Sequence, residues 1–175
     1  MVGNGIRLEE VTARLATCSH NYRQEFFGSG AVKIACLVGT IMPSKDTLLA
    51  LHTAHALMES DPEWRVLFIG DTFQEALSYA SDDASSGWSY KKQVMDTHAR
   101  LGLQDRVRFI GQRDDALEII AQCDVLFSTS VHEGFPNVVL EAMAAGTPVA
   151  SVDYSDIRRI LPLPWQVVDA RDANC

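Results

Sequence analysis

Short apolar runs rich in β-branched residues alternate along this chain with stretches of helical pattern, and this alternation restricts the possible folds most. The runs are apolar throughout rather than alternately apolar and polar, as is typical of strands covered on both faces. Strands that alternate with helices of this length predict βαβ units and an α/β fold with a doubly wound parallel sheet. The predicted strands cover 31–39, 64–70, 107–111, 124–130, 148–152 and, more weakly, 165–169; the predicted helices cover 45–59, 89–101, 113–122, 136–145 and 155–161.

Two further segments complete the predicted organisation. Residues 8–27 suggest a single helix ahead of the first strand, and residues 71–89, rich in Ser, Asp and Ala, predict a long surface loop around a short helix. We therefore divide the chain into a leading segment, 1–30, and a sheet domain, 31–175. Right-handed crossovers would place the carboxyl ends of all strands along one edge of the sheet, where open α/β sheets bind ligands.

Composition excludes several classes of function. A formal net charge of −8 over 175 residues makes a nucleic-acid binder improbable, because such proteins need a basic surface. No apolar run reaches the ~18 residues of a membrane span, and the first residues lack the pattern of a secretory signal. The four cysteines, Cys18, Cys36, Cys123 and Cys175, form no C-x-x-C pair, which favours reduced thiols in a cytoplasmic protein over zinc or disulfides. Whether the protein associates with a membrane stays open.

The segment 130–146, SVHEGFPNVVLEAMAAG, carries the clearest indication of function. Pro136 suits the first turn of a helix, and Gly146 suits the residue just past its end. The helix between them is apolar nearly all round, which predicts that it is buried with Glu141 in its middle. A buried carboxylate needs a partner, because an unpaired charge is very costly to bury.

Glu133 lies eight residues before Glu141, on the loop that leads into the helix. A rise of ~1.5 Å per residue puts Glu141 roughly 7 to 8 Å beyond the helix start. The free N–H groups of the helix N-terminus, an anion site, would lie between the two carboxylates, and Gly134 would let backbone approach a phosphate. A nucleotide sugar has the matching order of sugar hydroxyls, diphosphate and ribose hydroxyls. The alternative is a solvated loop glutamate and a helix glutamate with a basic partner.

The stretch EGFPNVVLEAMAAGTPV resembles the E-x7-E segment of retaining, family 4 type glycosyltransferases of the GT-B fold. Supporting similarities lie in VGNGI at 2–6, GTIMPSKD at 39–46, LGLQDRVRFIG at 101–111 and AQCDVLFSTS at 121–130, so the resemblance covers roughly residues 2–170. It implies the C-terminal, Rossmann-like half of a GT-B enzyme, entered through a hinge, with the N-terminal acceptor domain absent from this chain.

The resemblance also implies a role for each matching residue. Glu133 would hold the transferred sugar and Glu141 the ribose hydroxyls, and Glu133 and Lys45 would be the catalytic residues. The family uses no metal and no cofactor, and it transfers with retention, by front-face attack without a protein nucleophile. A nucleoside diphosphate sugar would be the donor, and its binding residues would be Gly39, Lys45, Gln112, Arg113, Gly134, Phe135, Pro136, Asn137 and Glu141.

The sequence departs from the family at two places. An arginine commonly stands three or five residues before the lysine, where this chain has Met42 and Thr40. Lys45 alone supplies less charge to a leaving diphosphate, and such stabilisation is a large catalytic term. The run Gly70, Asp71, Thr72 lacks the second glycine of the usual G-x-G.

Three functions remain open at this point. The first is the donor-binding domain of a retaining glycosyltransferase, which on its own would bind donor weakly and transfer nothing. The second is an epimerase or phosphorylase on the same fold, because fold does not determine function. The third is a degenerate nucleotide-sugar-binding module, which the missing arginine favours. Donor base, sugar, acceptor and oligomeric state are not predicted.

Several other polar or sulfur-containing residues have simpler interpretations. His52 and His55 share a helix face, but no third metal ligand is evident. His132 is interpreted as a loop histidine and Asp124 as a structural residue. Ser130 ends a predicted strand at the binding edge and is a candidate for ligand contact. Met58 and Met143 are predicted to lie in the core, and Arg158 and Arg159 on a solvated helix face.

Overall fold

The computed structural model of this chain describes residues 6–70 and 87–169, which form a six-stranded parallel sheet. The order of the strands across the sheet is β3-β2-β1-β4-β5-β6, and every neighbouring pair is parallel. The predicted doubly wound α/β fold is therefore confirmed. The strands are β1 (Lys33–Val38), β2 (Trp64–Ile69), β3 (Val107–Phe109), β4 (Val125–Ser128), β5 (Val149–Val152) and β6 (Val167–Val168).

The helices lie between the strands as the pattern predicted, with ends that differ by at most three residues. Two of the connections also contain 3-10 turns, Pro43–Lys45 and Pro164–Gln166. The predicted loop at 71–89 lies almost entirely outside the described residues. The helices are α1 (Leu8–Thr17), α2 (Tyr22–Phe27), α3 (Thr47–Ser60), α4 (Gly87–Arg100), α5 (Ala116–Ala121), α6 (Asn137–Ala145) and α7 (Ile157–Ile160).

The prediction of a single leading helix over 8–27 is wrong, because this segment forms two helices, α1 and α2. The side chain of Asn21 accepts a hydrogen bond from the backbone N–H of Gln24 and so starts a new helix. Tyr22 and Phe26 of α2 then pack into the core beneath the sheet. The leading segment is thus joined to the sheet through a common core.

Each face of the sheet is covered by its own apolar layer. Along β1, Ile34 and Cys36 pack with α2, α5 and α6, whereas Ala35 and Leu37 pack with α3 and α4. All four side chains are at most 5% exposed. This two-sided burial explains why the strands are apolar at every position rather than at every second one.

The order of the strands changes direction at the neighbouring strands β1 and β4. β2 and β3 lie on one side of β1, whereas β4, β5 and β6 lie on the other. The loops that follow β1 and β4 therefore diverge around a crevice at the carboxyl edge, the usual place for a ligand in such sheets. Lys45, Ser130 and Glu133 all belong to these two loops.

No helix among the described residues is long and apolar enough to cross a bilayer.

Candidate functional site

Two loops at the crevice are joined by hydrogen bonds. The hydroxyl of Thr129, just past β4, donates to the carbonyl of Lys45 at 2.8 Å and lies 3.1 Å from that of Asp46. The N–H of Val131 donates to the carbonyl of Ser44 at 2.8 Å. The loop after β4 therefore holds the 3-10 turn that carries Lys45.

Glu133 and Lys45, the two residues predicted to be catalytic, form an ion pair between Oε1 and Nζ. The hydroxyl of Ser130 donates to the same oxygen at 2.7 Å. The side chains of Lys45 and Glu133 are 23% and 18% exposed, so solvent screens the pair only in part. In this arrangement the carboxylate occupies the place that an anionic ligand of Lys45 would take.

Gly39 provides the space along which Lys45 reaches Glu133. A Cβ at residue 39 would lie 3.3 Å from Cε of Lys45, and the φ of Gly39 is +152°. A side chain there would be strained and would crowd the lysine stem. Gly39 therefore shapes the path of the Lys45 side chain, and its membership of the donor-binding set stays a prediction.

The start of α6 differs in detail from the prediction. Asn137 is the first helical residue and Pro136 is the N-cap. The N–H of Asn137 is already bonded to the carbonyl of Phe135 at 2.9 Å, so this donor is engaged before any ligand arrives. Phe135 is 42% exposed at the rim. At Gly134 a Cβ would meet open space, so the fold itself does not require glycine there.

Helix α6 is not buried all round, which corrects the expectation from its apolar sequence. Val139 and Ala142 are fully buried, but Met143 is 42% exposed, and its assignment to the core is wrong. The helix presents one face to the sheet and another to a groove. Met58, the other methionine predicted to be buried, is only 2% exposed.

Glu141, four residues into α6, lines that groove, which has a volume of about 610 Å³. The opposite wall belongs to α1 and its N-cap Arg7, with Glu10 and Arg14 among the residues of the helix. Burial raises the pKa of Glu141, and the positive charge of Arg14 offsets this only in part. Arg14 itself is engaged elsewhere, since it pairs with both carboxylate oxygens of Glu118 at 2.5 and 2.7 Å.

The ion pairs among residues 6–70 and 87–169 do not include Glu141. A helix glutamate with a basic partner was the alternative interpretation of this residue, and the structure gives that partner to Glu118 instead. The side chain that the sequence placed in a buried helix is therefore half-buried and directed to an open groove.

Arg113 reaches the same groove from the loop after β3, and Gln112 beside it is exposed. The guanidinium of Arg113 donates two 2.7 Å hydrogen bonds to Asp115 and lies 5.8 Å from the ring centre of Phe26. These bonds hold the pKa of Asp115 down at about 2. Burial and Asp115 raise the pKa of Tyr22, whose hydroxyl donates to Asp115, to about 12. The side chain of Arg113 is thus engaged by Asp115.

The structure brings the predicted site residues together in two places. Lys45, Glu133 and Gly39 meet beside the ends of β1 and β4, and Ser130 joins them. Glu141 and Arg113 meet in the groove under α1. Sequence reasoning missed the wall supplied by α1, because Arg14 is held by Glu118 across 104 residues of chain.

The remaining candidates behave as structural or surface residues. Asp124 accepts hydrogen bonds from the N–H of Ile34 at 2.7 Å and from Arg23, which confirms a structural role. His132 is exposed and lies 3.3 Å from the hydroxyl of Ser155. In the described part of the chain no group of three His, Cys, Asp or Glu side chains is placed to hold a metal ion.

Residues 20–162, more than half of the chain, match the family described as "Glycosyl transferases group 1". This chain belongs to that family. The match includes Gly39, Lys45, Glu133 and Glu141 and agrees with the predicted GT-B type of domain.

Individual relatives agree with the family assignment. The chain is 49% identical over 51 residues to the lipopolysaccharide core biosynthesis glycosyltransferase LpsE of Rhizobium meliloti, which is 29% of this chain and 15% of that protein. It is 31% identical over 121 residues to a D-inositol 3-phosphate glycosyltransferase of Mycolicibacterium vanbaalenii, which is 68% of this chain and 26% of that protein. The chain therefore spans well under half of the length of these relatives.

A solved structure shows the same fold. The crystal structure of Anabaena HepE in complex with UDP-glucose superposes with a TM-score of 0.74 at 21% identity, over 97% of this chain and 43% of that one. At this identity the likeness concerns the fold alone.

Proposed function

We propose that this chain is the donor-binding domain of a retaining glycosyltransferase that moves a sugar from a nucleoside diphosphate sugar to an acceptor. The observation that carries the proposal is the arrangement of the two glutamates. Glu133 and Lys45 lie at the crevice beside the ends of β1 and β4. Glu141 lies on α6, the helix that follows the loop of Glu133, and faces a separate groove. A ligand that extends from one place to the other needs hydroxyls at both ends and negative charge between them.

Each part of a nucleotide sugar has a chemical counterpart in this arrangement. Lys45 would donate to the diphosphate, and Glu133, once released from Lys45, would accept from hydroxyls of the transferred sugar. Glu141 would accept from the ribose hydroxyls, which relieves the cost of a half-buried carboxylate. The base would face the main chain of Gln112 and Arg113.

The chemical step follows from these positions. Departure of the nucleoside diphosphate leaves negative charge on the diphosphate, and Lys45 would stabilise that charge. Transfer with retention would proceed by attack on the face from which the diphosphate leaves, without a covalent enzyme intermediate and without a metal. Positioning of acceptor and donor together supplies much of such catalysis, so residues beyond this stretch would be needed for transfer.

A degenerate binding module is the second candidate, and one observation favours it. Where the family commonly has an arginine, Thr40 and Met42 contact one another at 3.0 Å, and Met42 is 42% exposed. Lys45 would then face the diphosphate without a second cation from this turn. Transfer assays on the full-length protein, with release of the nucleoside diphosphate as readout, distinguish a weak enzyme from a module that binds donor only.

The first test of the proposal is a thermal-shift panel of UDP, GDP and ADP with EDTA present. At ten times its Kd, a nucleoside diphosphate should stabilise the chain by about 1.4 kcal/mol. We expect at least one of the three to do so without added metal. If all three leave the melting temperature unchanged, or if each acts only with a divalent cation, the proposed donor site is wrong.

A further inference from the structure

Ser130 contacts Glu133 through its hydroxyl group. Its hydroxyl donates to Oε1 of Glu133 at 2.7 Å, the same oxygen that pairs with Lys45. Ser130 is only 4% exposed, although it lies in the loop after β4. Among residues 6–70 and 87–169, Lys45 and Ser130 therefore approach the same oxygen of the carboxylate, Oε1. We assign the other oxygen, Oε2, to a donor from the ligand.

The backbone on either side of Ser130 is anchored. Thr129 bonds to the carbonyls of Lys45 and Asp46, and the N–H of Val131 bonds to the carbonyl of Ser44. A serine side chain has one heavy-atom torsion, so little entropy is lost when its hydroxyl is held in one direction. Ser130 is therefore a rigid donor, in contrast to the long and flexible side chain of Lys45.

The two partners of Glu133 would respond differently to a donor. Under the proposed function Lys45 turns to the diphosphate, which removes the cation from Oε1. Ser130 belongs to the loop of Glu133 itself, three residues earlier, and its bond does not depend on the ligand. The carboxylate would then keep its direction through Ser130 alone.

We propose that Ser130 is a positioning residue of the sugar subsite, which holds Glu133 by Oε1 so that Oε2 accepts from a hydroxyl of the transferred sugar. The inference rests on the proposed function, because it assumes that Glu133 faces the sugar. It predicts an effect on the sugar part of the donor and none on the nucleoside diphosphate part.

The experiment compares two ligands on four variants by isothermal titration. The ligands are a nucleoside diphosphate and its sugar, taken as the pair that binds the unmodified chain among UDP with UDP-glucose, GDP with GDP-mannose and ADP with ADP-glucose. The variants are Ser130→Ala, Ser130→Thr, Glu133→Gln and the double variant Ser130→Ala/Glu133→Gln. Thr147→Val is the matched control, because Thr147 is 5% exposed and its hydroxyl donates to the carbonyl of Ile120, before the amino end of β5 and so at the sheet edge opposite to the site.

Ser130→Ala removes the hydroxyl that orients Glu133 but leaves the carboxylate itself, so we expect a loss no larger than that of a typical hydrogen bond. Nucleotide-sugar binding should weaken about five- to tenfold, with less than a twofold change for the nucleoside diphosphate. Ser130→Thr should restore most of the lost affinity, since it retains a hydroxyl. In the Glu133→Gln background the same serine substitution should have no further effect on the preference for the sugar, because residues that act through one another are not additive. Thr147→Val should change neither affinity.

Equal weakening of both ligands, or an unchanged effect of Ser130→Ala in the Glu133→Gln background, would overturn the positioning role while the proposed function stands. Failure of every nucleoside diphosphate to bind the unmodified chain would instead overturn the proposed function, and the inference with it. If Ser130→Ala does not fold, Ser130→Cys takes its place, since a thiol is similar in shape but donates only weakly.

Discussion

Glu133 and Glu141 are the same residue type, eight positions apart, yet the fold treats them in opposite ways. Glu133 is held by Lys45 and Ser130 before any ligand arrives. Glu141 faces a groove, and burial raises its pKa, while Arg14, whose positive charge offsets this in part, is bound to Glu118. A ligand must therefore compete with an existing partner at Glu133, but only needs to bring donors to Glu141. Substitution of Glu133 and of Glu141 should thus change the affinity for a nucleoside diphosphate in opposite directions.

Lys45 pairs with Glu133 and would bind the diphosphate, so its removal should have the largest effect on ligand affinity. Loss of a charge-assisted contact of about 1.5–3 kcal/mol predicts that Lys45→Ala weakens nucleoside diphosphate binding roughly ten- to hundredfold. Binding of the corresponding nucleoside, which has no phosphate, should change little. Isothermal titration with both ligands measures the difference.

Lys33→Ala is the matched control for this experiment. Lys33 begins β1, at the sheet edge opposite to the site, and pairs with Asp61 at 2.5 Å. Lys33→Ala should leave the affinities for the nucleoside and the nucleoside diphosphate unchanged. Equal losses for nucleoside and nucleoside diphosphate with Lys45→Ala would show that Lys45 does not face phosphate.

The sequence predicted the elements that carry the two glutamates better than it predicted the partners of the glutamates. The apolar runs that alternate with helical stretches predicted the parallel sheet, and a capping proline and glycine located α6 within one residue. Both features depend on local chemistry. The partners of the glutamates depend on distant contacts. Lys45 and Glu133 are 88 residues apart, and the wall of the Glu141 groove comes from α1. Only the resemblance to a family brought Lys45 and Glu133 together at the sequence level.

The exposed face of α6 shows the same limit. Its apolar composition predicted burial all round, but the faces that the rest of the fold covers are decided by distant elements such as α1 and the sheet. Residues such as Met143 are then exposed without any polar residue in the sequence to indicate it.

The second prediction concerns Glu141 and has a smaller effect. Glu141→Gln preserves shape but replaces charge-assisted hydrogen bonds with neutral ones, which should weaken a ribonucleoside diphosphate roughly tenfold. The 2′,3′-dideoxy analogue lacks the hydroxyls and should be affected much less. Titration of both analogues against the unmodified chain and the variant decides whether Glu141 contacts the ribose.

The melting curves without ligand provide the control for Glu141. The pKa of this carboxyl is raised above its ordinary value of 4.5, so its contribution to stability is greatest below that pH and falls as the pH rises through the raised value. Glutamine does not titrate. The variant should therefore gain stability relative to the unmodified chain between pH 4 and pH 7, whereas a glutamate in an internal ion pair would lose it.

The most direct test of the central claim is titration of one nucleoside diphosphate, in one buffer, against the unmodified chain, Glu133→Gln and Glu141→Gln. Glu133→Gln releases Lys45 from a partly exposed ion pair worth up to about 1 kcal/mol, and should tighten binding about two- to fivefold. Glu141→Gln should weaken binding of the same ligand. Opposite directions are the predicted result. If both substitutions weaken binding, or if Glu133→Gln leaves it unchanged, then Glu133 does not compete with the diphosphate for Lys45, and the contrast between the two glutamates is wrong.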